Sequence, residues 1–218
     1  MKEVITIGYG GHGFVAIDIL LEAGFKIAGY LDKDEKKYNP YNLKYLGSED
    51  IFILKEKNLS YFSAFIAIGD SNIREKVFLL LQSKRILIIN AIHPKSTVAK
   101  NIIIGQGVFI AANAVINPLC TIGNGVICNT SSSIDHECSV NNFTHICPGT
   151  VLCGNVTVGK NSFIGANSVI KPGITIGDNV IVGAGSTVIK DITEPGTYAG
   201  SPLKRLKGRI VQDTEGKS

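Results

Sequence analysis

Asp135-His136-Glu137 sets one imidazole between two carboxylates. An imidazole titrates near neutrality and suits general-base work, and a carboxylate on its far nitrogen fixes the tautomer and stabilises the imidazolium. Either Asp135 or Glu137 can supply that carboxylate. The triplet stands out because the stretch from Val98 to Val188 is almost uncharged, holding only Lys100, Asp135, Glu137, Lys160, Lys171 and Asp178. A second histidine, His145, precedes Ile146 and is expected to face outward about half a coil away. Cys138 lies two residues past His136 but at a position expected to point inward, so no covalent acyl intermediate is expected.

A second constellation opens the chain. Gly8-Tyr9-Gly10-Gly11-His12-Gly13 matches GxGxxG between a strand at Val4–Ile7 and a helix at Phe14–Ala23. Glycines let the backbone approach a pyrophosphate, and the helix N-terminus supplies N–H donors for it. Asp32 follows the second strand, Lys26–Leu31, where an acidic residue reaches a ribose or base. Asp70, after the strand Ala64–Ile68, is expected to line the same crevice. A helix at Ile73–Gln82 and a strand at Ile86–Ile89 complete a β/α alternation, which predicts a small parallel sheet. About 90 residues hold only one mononucleotide-binding half, which favours a nucleotide-sugar over NAD.

The scaffold that carries His136 shows an unbroken six-residue period. Every sixth residue from Val98 to Val188 is Ile, Val or Leu, with Cys128 the single exception. Three residues after each of these, Asn or Gly recurs, as tight corners with positive φ require. The corner rule fails at Leu119, Ser131, Glu137, Phe143 and Asp191, and three consecutive failures bracket His136. Such a period predicts a hexapeptide β-helix of a little over five triangular coils, each 18 residues long, with a stacked apolar column inside. Gly154 lies one coil beyond His136 and leaves room beside it for a thioester arm. The predicted organisation is an α/β Rossmann-like half-domain over 1–92, a β-helix over 93–192 and a tail over 193–218.

Composition bounds the remainder. The chain has 218 residues, 44% apolar and 18% charged, and a net charge of +4. That excludes a disordered chain, and the positive excess is too weak to imply nucleic acid or an anionic membrane. The absence of a long apolar run and of a signal-peptide pattern predicts a cytoplasmic protein without a membrane span. Cys120, Cys128, Cys138, Cys147 and Cys153 form no CxxC pair and read as small apolar fillers. Two histidines in the repeat are too few for a zinc site, so no metal is expected.

Residues 129–138 (Asn-Thr-Ser-Ser-Ser-Ile-Asp-His-Glu-Cys), the glycine loop, His145 and the terminal Gly200-Ser201-Pro202-Leu203-Lys204 resemble the sialic acid O-acetyltransferase-like family of bacterial sugar acyltransferases, which fold as left-handed parallel β-helices. The resemblance covers almost the whole chain. It implies a homotrimer with acetyl-CoA bound between adjacent β-helices and a nucleotide-sugar held by the N-terminal domain. It further implies His136 as the base and Glu137 as the residue that orients it. Acetyl-CoA contacts then fall to Asn129, His145, Gly154 and Ala184, and UDP contacts to Gly10, Gly11, His12, Gly13 and Asp32. The family's Pro-Ala-Lys ending reads Pro202-Leu203-Lys204 here; Lys204, Arg205, Lys207 and Arg209 are candidates for the CoA phosphates. The implied reaction is N-acetylation of the 4-amino group of a UDP-linked 4-amino-4,6-dideoxy sugar. O-acetylation of a sialic acid or other sugar hydroxyl is the rival reading, and a non-catalytic nucleotide-sugar-binding β-helix is a third.

Overall fold

A computed structural model describes residues 3–48 and 62–206. Four parallel strands, β1 (Glu3–Ile7), β2 (Ile27–Leu31), β3 (Phe62–Ile66) and β4 (Leu87–Ile88), form a sheet in the order β2-β1-β3-β4. Helix α1 (Gly11–Glu22) and helix α2 (Ser71–Ser83) cover it. Val4, Ile5 and Ile7 are buried, which places one apolar layer under each helix. The strand order reverses between β1 and β3, and open α/β sheets bind ligands at the carboxyl ends flanking such a reversal.

The β-helix follows without a linker. Its first rung, Ala91–Ile92, pairs with Phe109–Ile110 and extends the six-residue series one step before Val98. About six coils stack with an 18-residue register, as in Phe109 opposite Ile127, Ile127 opposite His145 and His145 opposite Phe163. Three parallel sheets form the faces of the prism. The first face holds these residues, the second holds Ser133 opposite Val151, and the third holds Thr121 opposite Ser139. The periodic residues fill the interior: Ile110, Ile134, Ile146, Leu152 and Ile164 are fully enclosed.

Every sixth residue from Gly107 to Gly185 has positive φ, including Leu119 (φ 67°), Ser131 (56°), Glu137 (60°) and Phe143 (60°). The corners that break the Asn/Gly rule therefore keep its geometry. A residue with a Cβ is held there at a penalty of about 1–2 kcal/mol. Asn101 and Asp191, at the two ends of the series, lie outside this conformation.

The two units share one apolar interface. On one side of the sheet, Ala16, Ile19 and Leu20 of α1 pack with Phe65 against Phe109, Ala111 and Ile127 of the first face. On the other, Val77, Phe78 and Leu81 of α2 pack with Phe143. Phe78 and Phe143 meet edge to face with ring centroids 5.4 Å apart, so the aromatic corner at 143 serves domain docking. Only Glu137, of the three consecutive irregular corners, acts on His136. No described helix is long and apolar enough to cross a membrane.

Candidate active site

His136 occupies a corner between the second and third faces. Ile134 is locked inward, and the Asp135 carboxylate accepts both the His136 backbone N–H (2.8 Å) and the Asn117 side-chain amide (2.8 Å). Those two bonds hold the Asp135 carboxyl below the usual range, the backbone N–H contributing most. The left-handed conformation of Glu137 then turns its carboxylate back, placing Oε2 3.0 Å from His136 Nδ1. The orienting carboxylate is thus Glu137, while Asp135 fixes the main chain. With Nδ1–H donating to Glu137, Nε2 keeps its lone pair, which is what a general base needs. One coil on, Gly154 sits against the ring: a Cβ there would stand 2.5 Å from His136 Cε1. The His136 side chain remains 56% exposed.

His145 lies on the first face, beneath the N-terminal unit. Asn129 Oδ1 accepts its neighbour's Thr130 N–H (2.8 Å), which directs Nδ2 to His145 Nε2 at 3.1 Å. Nε2 is therefore the acceptor, and the proton of His145 resides on Nδ1. Burial, then Arg74 and then His12 lower its pKa to about 3. His12 stands opposite, with ring centroids 4.7 Å from Phe109 and 6.4 Å from His145. Burial and then Arg74 lower its pKa to about 4, and its Nε2 is enclosed without a partner among the described residues. The His12 ring thus faces the β-helix, with Phe109 and His145 as its aromatic neighbours.

The glycine loop lies where the strand order reverses. A Cβ at Gly8 (φ 101°) would stand 2.7 Å from Ala67 O, and one at Gly13 would stand 2.6 Å from Gly8 O, so strand, loop and helix close only with glycine at both. Gly10 and Gly11 have open space instead. Beside the loop is a cavity of about 150 Å³ lined by Ile7, Gly8, Asp32, Lys33, Ile68 and Ile73. Asp32 accepts Tyr9 N–H (2.9 Å) and pairs with Lys36 (2.9 Å). Asp70 has a different task from the expected one: it caps α2 by accepting Ile73 N–H at 2.9 Å and does not line this cavity.

Two groups of expected residues thus stand apart within one chain. His136 and Gly154 share the corner between the second and third faces. Asn129 and His145 belong to the first face, Ala184 follows its rung Val180–Val182, and the glycine loop and Asp32 belong to the unit docked on it. Lys204 is exposed on a short strand that pairs with Ala199, and Arg205 donates to Pro195 O at 3.0 Å; Lys207 and Arg209 lie outside the described residues. Among the described residues no three His, Cys, Asp or Glu side chains converge as a metal site. Asn117 and Arg74 were not foreseen: neither belongs to a motif, and only the fold brings them to the site.

Comparison with known proteins finds relatives of both units. Residues 3–81 match the family described as the PglD N-terminal domain, and residues 155–190 match the hexapeptide repeat of succinyl-transferase. A curated relative, UDP-N-acetylbacillosamine N-acetyltransferase of Bacillus subtilis (strain 168), is 31% identical over 113 residues, which is 51% of this chain and 52% of that relative's length. The acetyltransferase domain of PglB from Neisseria gonorrhoeae FA1090, solved with acetyl coenzyme A, superposes with a TM-score of 0.87 at 30% identity, over 94% of this chain and 99% of that one. PerB from Caulobacter crescentus, solved with CoA and GDP-perosamine, gives 0.88 at 33% identity, over 95% of this chain and 98% of that one. With its glycine-loop α/β unit docked on a left-handed hexapeptide β-helix, the chain belongs to the sialic acid O-acetyltransferase-like family of bacterial sugar acyltransferases.

Proposed function

We propose that this protein is an acetyl-CoA-dependent N-acetyltransferase acting on the 4-amino group of a nucleotide-linked 4-amino-4,6-dideoxy sugar, with UDP as the nucleotide. The observation that carries the reading is the His136 imidazole, oriented through Nδ1 by Glu137, laid against Gly154, with Nε2 free. The neutral sugar amine attacks the thioester carbonyl, and His136 Nε2 takes the proton that nitrogen loses. The new C–N bond forms as the C–S bond breaks, and the imidazolium returns that proton to the departing CoA sulfur. Glu137 stabilises the imidazolium between the two transfers. The direct transfer needs no acyl-cysteine: Cys138 and Cys120 are both buried, with Sγ directed to Cys153 O (3.1 Å) and Asp135 O (2.9 Å) respectively. The hydrogen bond from Cys138 lowers the Cys120 thiol to about 7, whereas burial pushes the Cys128 and Cys147 thiols up to about 12.

The same reading includes a homotrimer. Outward residues of the second face are mixed, with Val115, Val151 and Val169 beside Thr97, Ser133 and Thr187, and the first face continues below the docked unit with Phe163 and Ile181. The third face carries Thr121, Ser139, Thr157 and Thr175, with Ile103 at its first rung. An apolar first face, a second face with three outward valines and a mostly hydroxylated third face suit a wedge that packs between two copies of itself. Packing a second face onto a neighbour's first face carries His136 to that neighbour's His145, glycine loop and Asp32. Acetyl-CoA then lies in the seam with Lys204 near its phosphates, and the cytoplasm is where both substrates meet the enzyme.

The test is CoA release from acetyl-CoA with UDP- and GDP-linked amino and hydroxy sugars. Turnover confined to a 4-amino-4,6-dideoxy sugar supports the reading. Turnover only with hydroxy acceptors assigns O-acetylation, and none with any acceptor leaves a binding protein.

A further inference from the structure

Arg74 lies in the first turn of α2 and is 1% exposed. Each of its hydrogen bonds goes to a main-chain carbonyl. Nη1 donates to Ile68 O (3.0 Å) and Gly69 O (2.6 Å), Nε to Gly125 O (2.7 Å) and Nη2 to Phe143 O (2.6 Å). The first two carbonyls follow β3 at the floor of the nucleotide crevice, which Ile68 lines. The last two belong to corners of successive coils, and the strand that follows Phe143 begins with His145. The adjacent Glu75 grips the next corner, accepting from Lys160 Nζ (2.6 Å) and Asn161 Nδ2 (2.9 Å).

A buried guanidinium that makes no salt bridge among the described residues, with the Asp70 charge acting only from a distance, is an unfavourable way merely to hold two units that already share an apolar interface. What it provides is geometric: one planar group with its donors in fixed directions spans the crevice floor and two coils at once. We infer that Arg74 is a positioning residue for acetyl transfer, setting the register between the nucleotide-sugar crevice and the β-helix coils that bear His145. This rests on the proposed function, because the register matters where an acceptor amine must meet a thioester. Its charge also opposes protonation of His12 and His145, so both rings stay neutral at the junction.

The test compares the full-length wild type with Arg74→Met and Arg74→Lys. Misplacing reacting groups by about 1 Å lowers turnover on the order of 10²-fold. The Met variant is expected to lose kcat on that scale, and the Lys variant, which keeps the charge and some of the bonds, to lose less. KM for acetyl-CoA is expected to stay within about twofold, since the β-helix seam is untouched. Hydrogen–deuterium exchange is expected to accelerate at 67–70 and 124–126 while β1 and α1 keep their protection. A merely structural residue instead lowers the yield of folded protein with kcat per folded chain unchanged; that outcome, or unaltered exchange, overturns the inference. If the Met variant does not fold, the Lys variant decides by the same readouts. If the wild type releases no CoA with any amino sugar, the functional reading fails, and exchange alone decides whether Arg74 sets the register.

Discussion

His136 rests directly on Gly154: a Cβ at 154 would stand 2.6 Å from Nε2, the nitrogen that must receive the proton. Gly154 does not have positive φ, so its lack of a side chain serves the contact and not the turn. Gly154→Ala is therefore expected to fold normally and displace the ring, lowering kcat on the order of 10²-fold. Steady-state kinetics beside a thermal melt check this; wild-type kcat in a folded variant contradicts it.

The two carboxylates flanking His136 have separate tasks, and their variants should separate accordingly. Glu137→Gln removes the charge facing Nδ1 and is expected to lower kcat on the order of 10²-fold. Asp135→Asn keeps an acceptor for the His136 backbone N–H and is expected to lose only about 10-fold. His136→Ala should lose on the order of 10² to 10⁴. The reverse order for the two acids would assign the orienting role to Asp135.

Stability should fall on mild acidification. Burial lowers His145 to about 3 and His12 to about 4, whereas an unfolded imidazole titrates near 6.5. Between those values the unfolded chain binds more protons than the folded one, so stability is greatest above pH 6.5 and declines toward pH 4. On going from pH 7.5 to 5 each histidine contributes a loss of about 2 kcal/mol. Urea unfolding at the two pH values measures it. His145→Gln should shrink the difference by its share, and an undiminished difference contradicts the assignment.

The fold was legible because one signal repeats: a periodic aliphatic residue and a corner three positions on are visible in any single coil and reinforced in the next. His136, Glu137 and the glycine loop were legible as departures from, or punctuation of, those patterns. Phe143 looked like part of the same anomaly, yet it anchors α2 through Phe78. Asp70 looked like a crevice acid because helix capping and ligand binding favour the same residue at the end of a strand. Arg74 and Asn117 carry no local mark; one reaches corners 51 and 69 residues away and the other bonds across one coil. Contacts of that range come from stacking, which no sequence window contains.

The faces should differ in their tolerance of charge. Val169→Glu on the second face or Ile181→Glu on the first is expected to shift the protein to monomer and abolish turnover, because each buries a carboxylate between copies. Thr157→Glu on the third face should leave both unchanged. Light scattering coupled to size exclusion, read beside CoA release, measures the outcome. Equal effects at all three sites contradict the wedge.

Mixing two inactive chains tests the shared site most directly. His136→Ala removes the base, and Gly11→Glu sets a carboxylate in open space at the start of α1, where it repels a pyrophosphate without disturbing the fold. If the base of one copy serves the crevice of its neighbour, random re-assembly of equal amounts restores about a quarter of the wild-type sites. Activity near that fraction is the result this account predicts. If re-assembled mixtures stay as inactive as either variant alone, each site is built within one chain and the account is wrong.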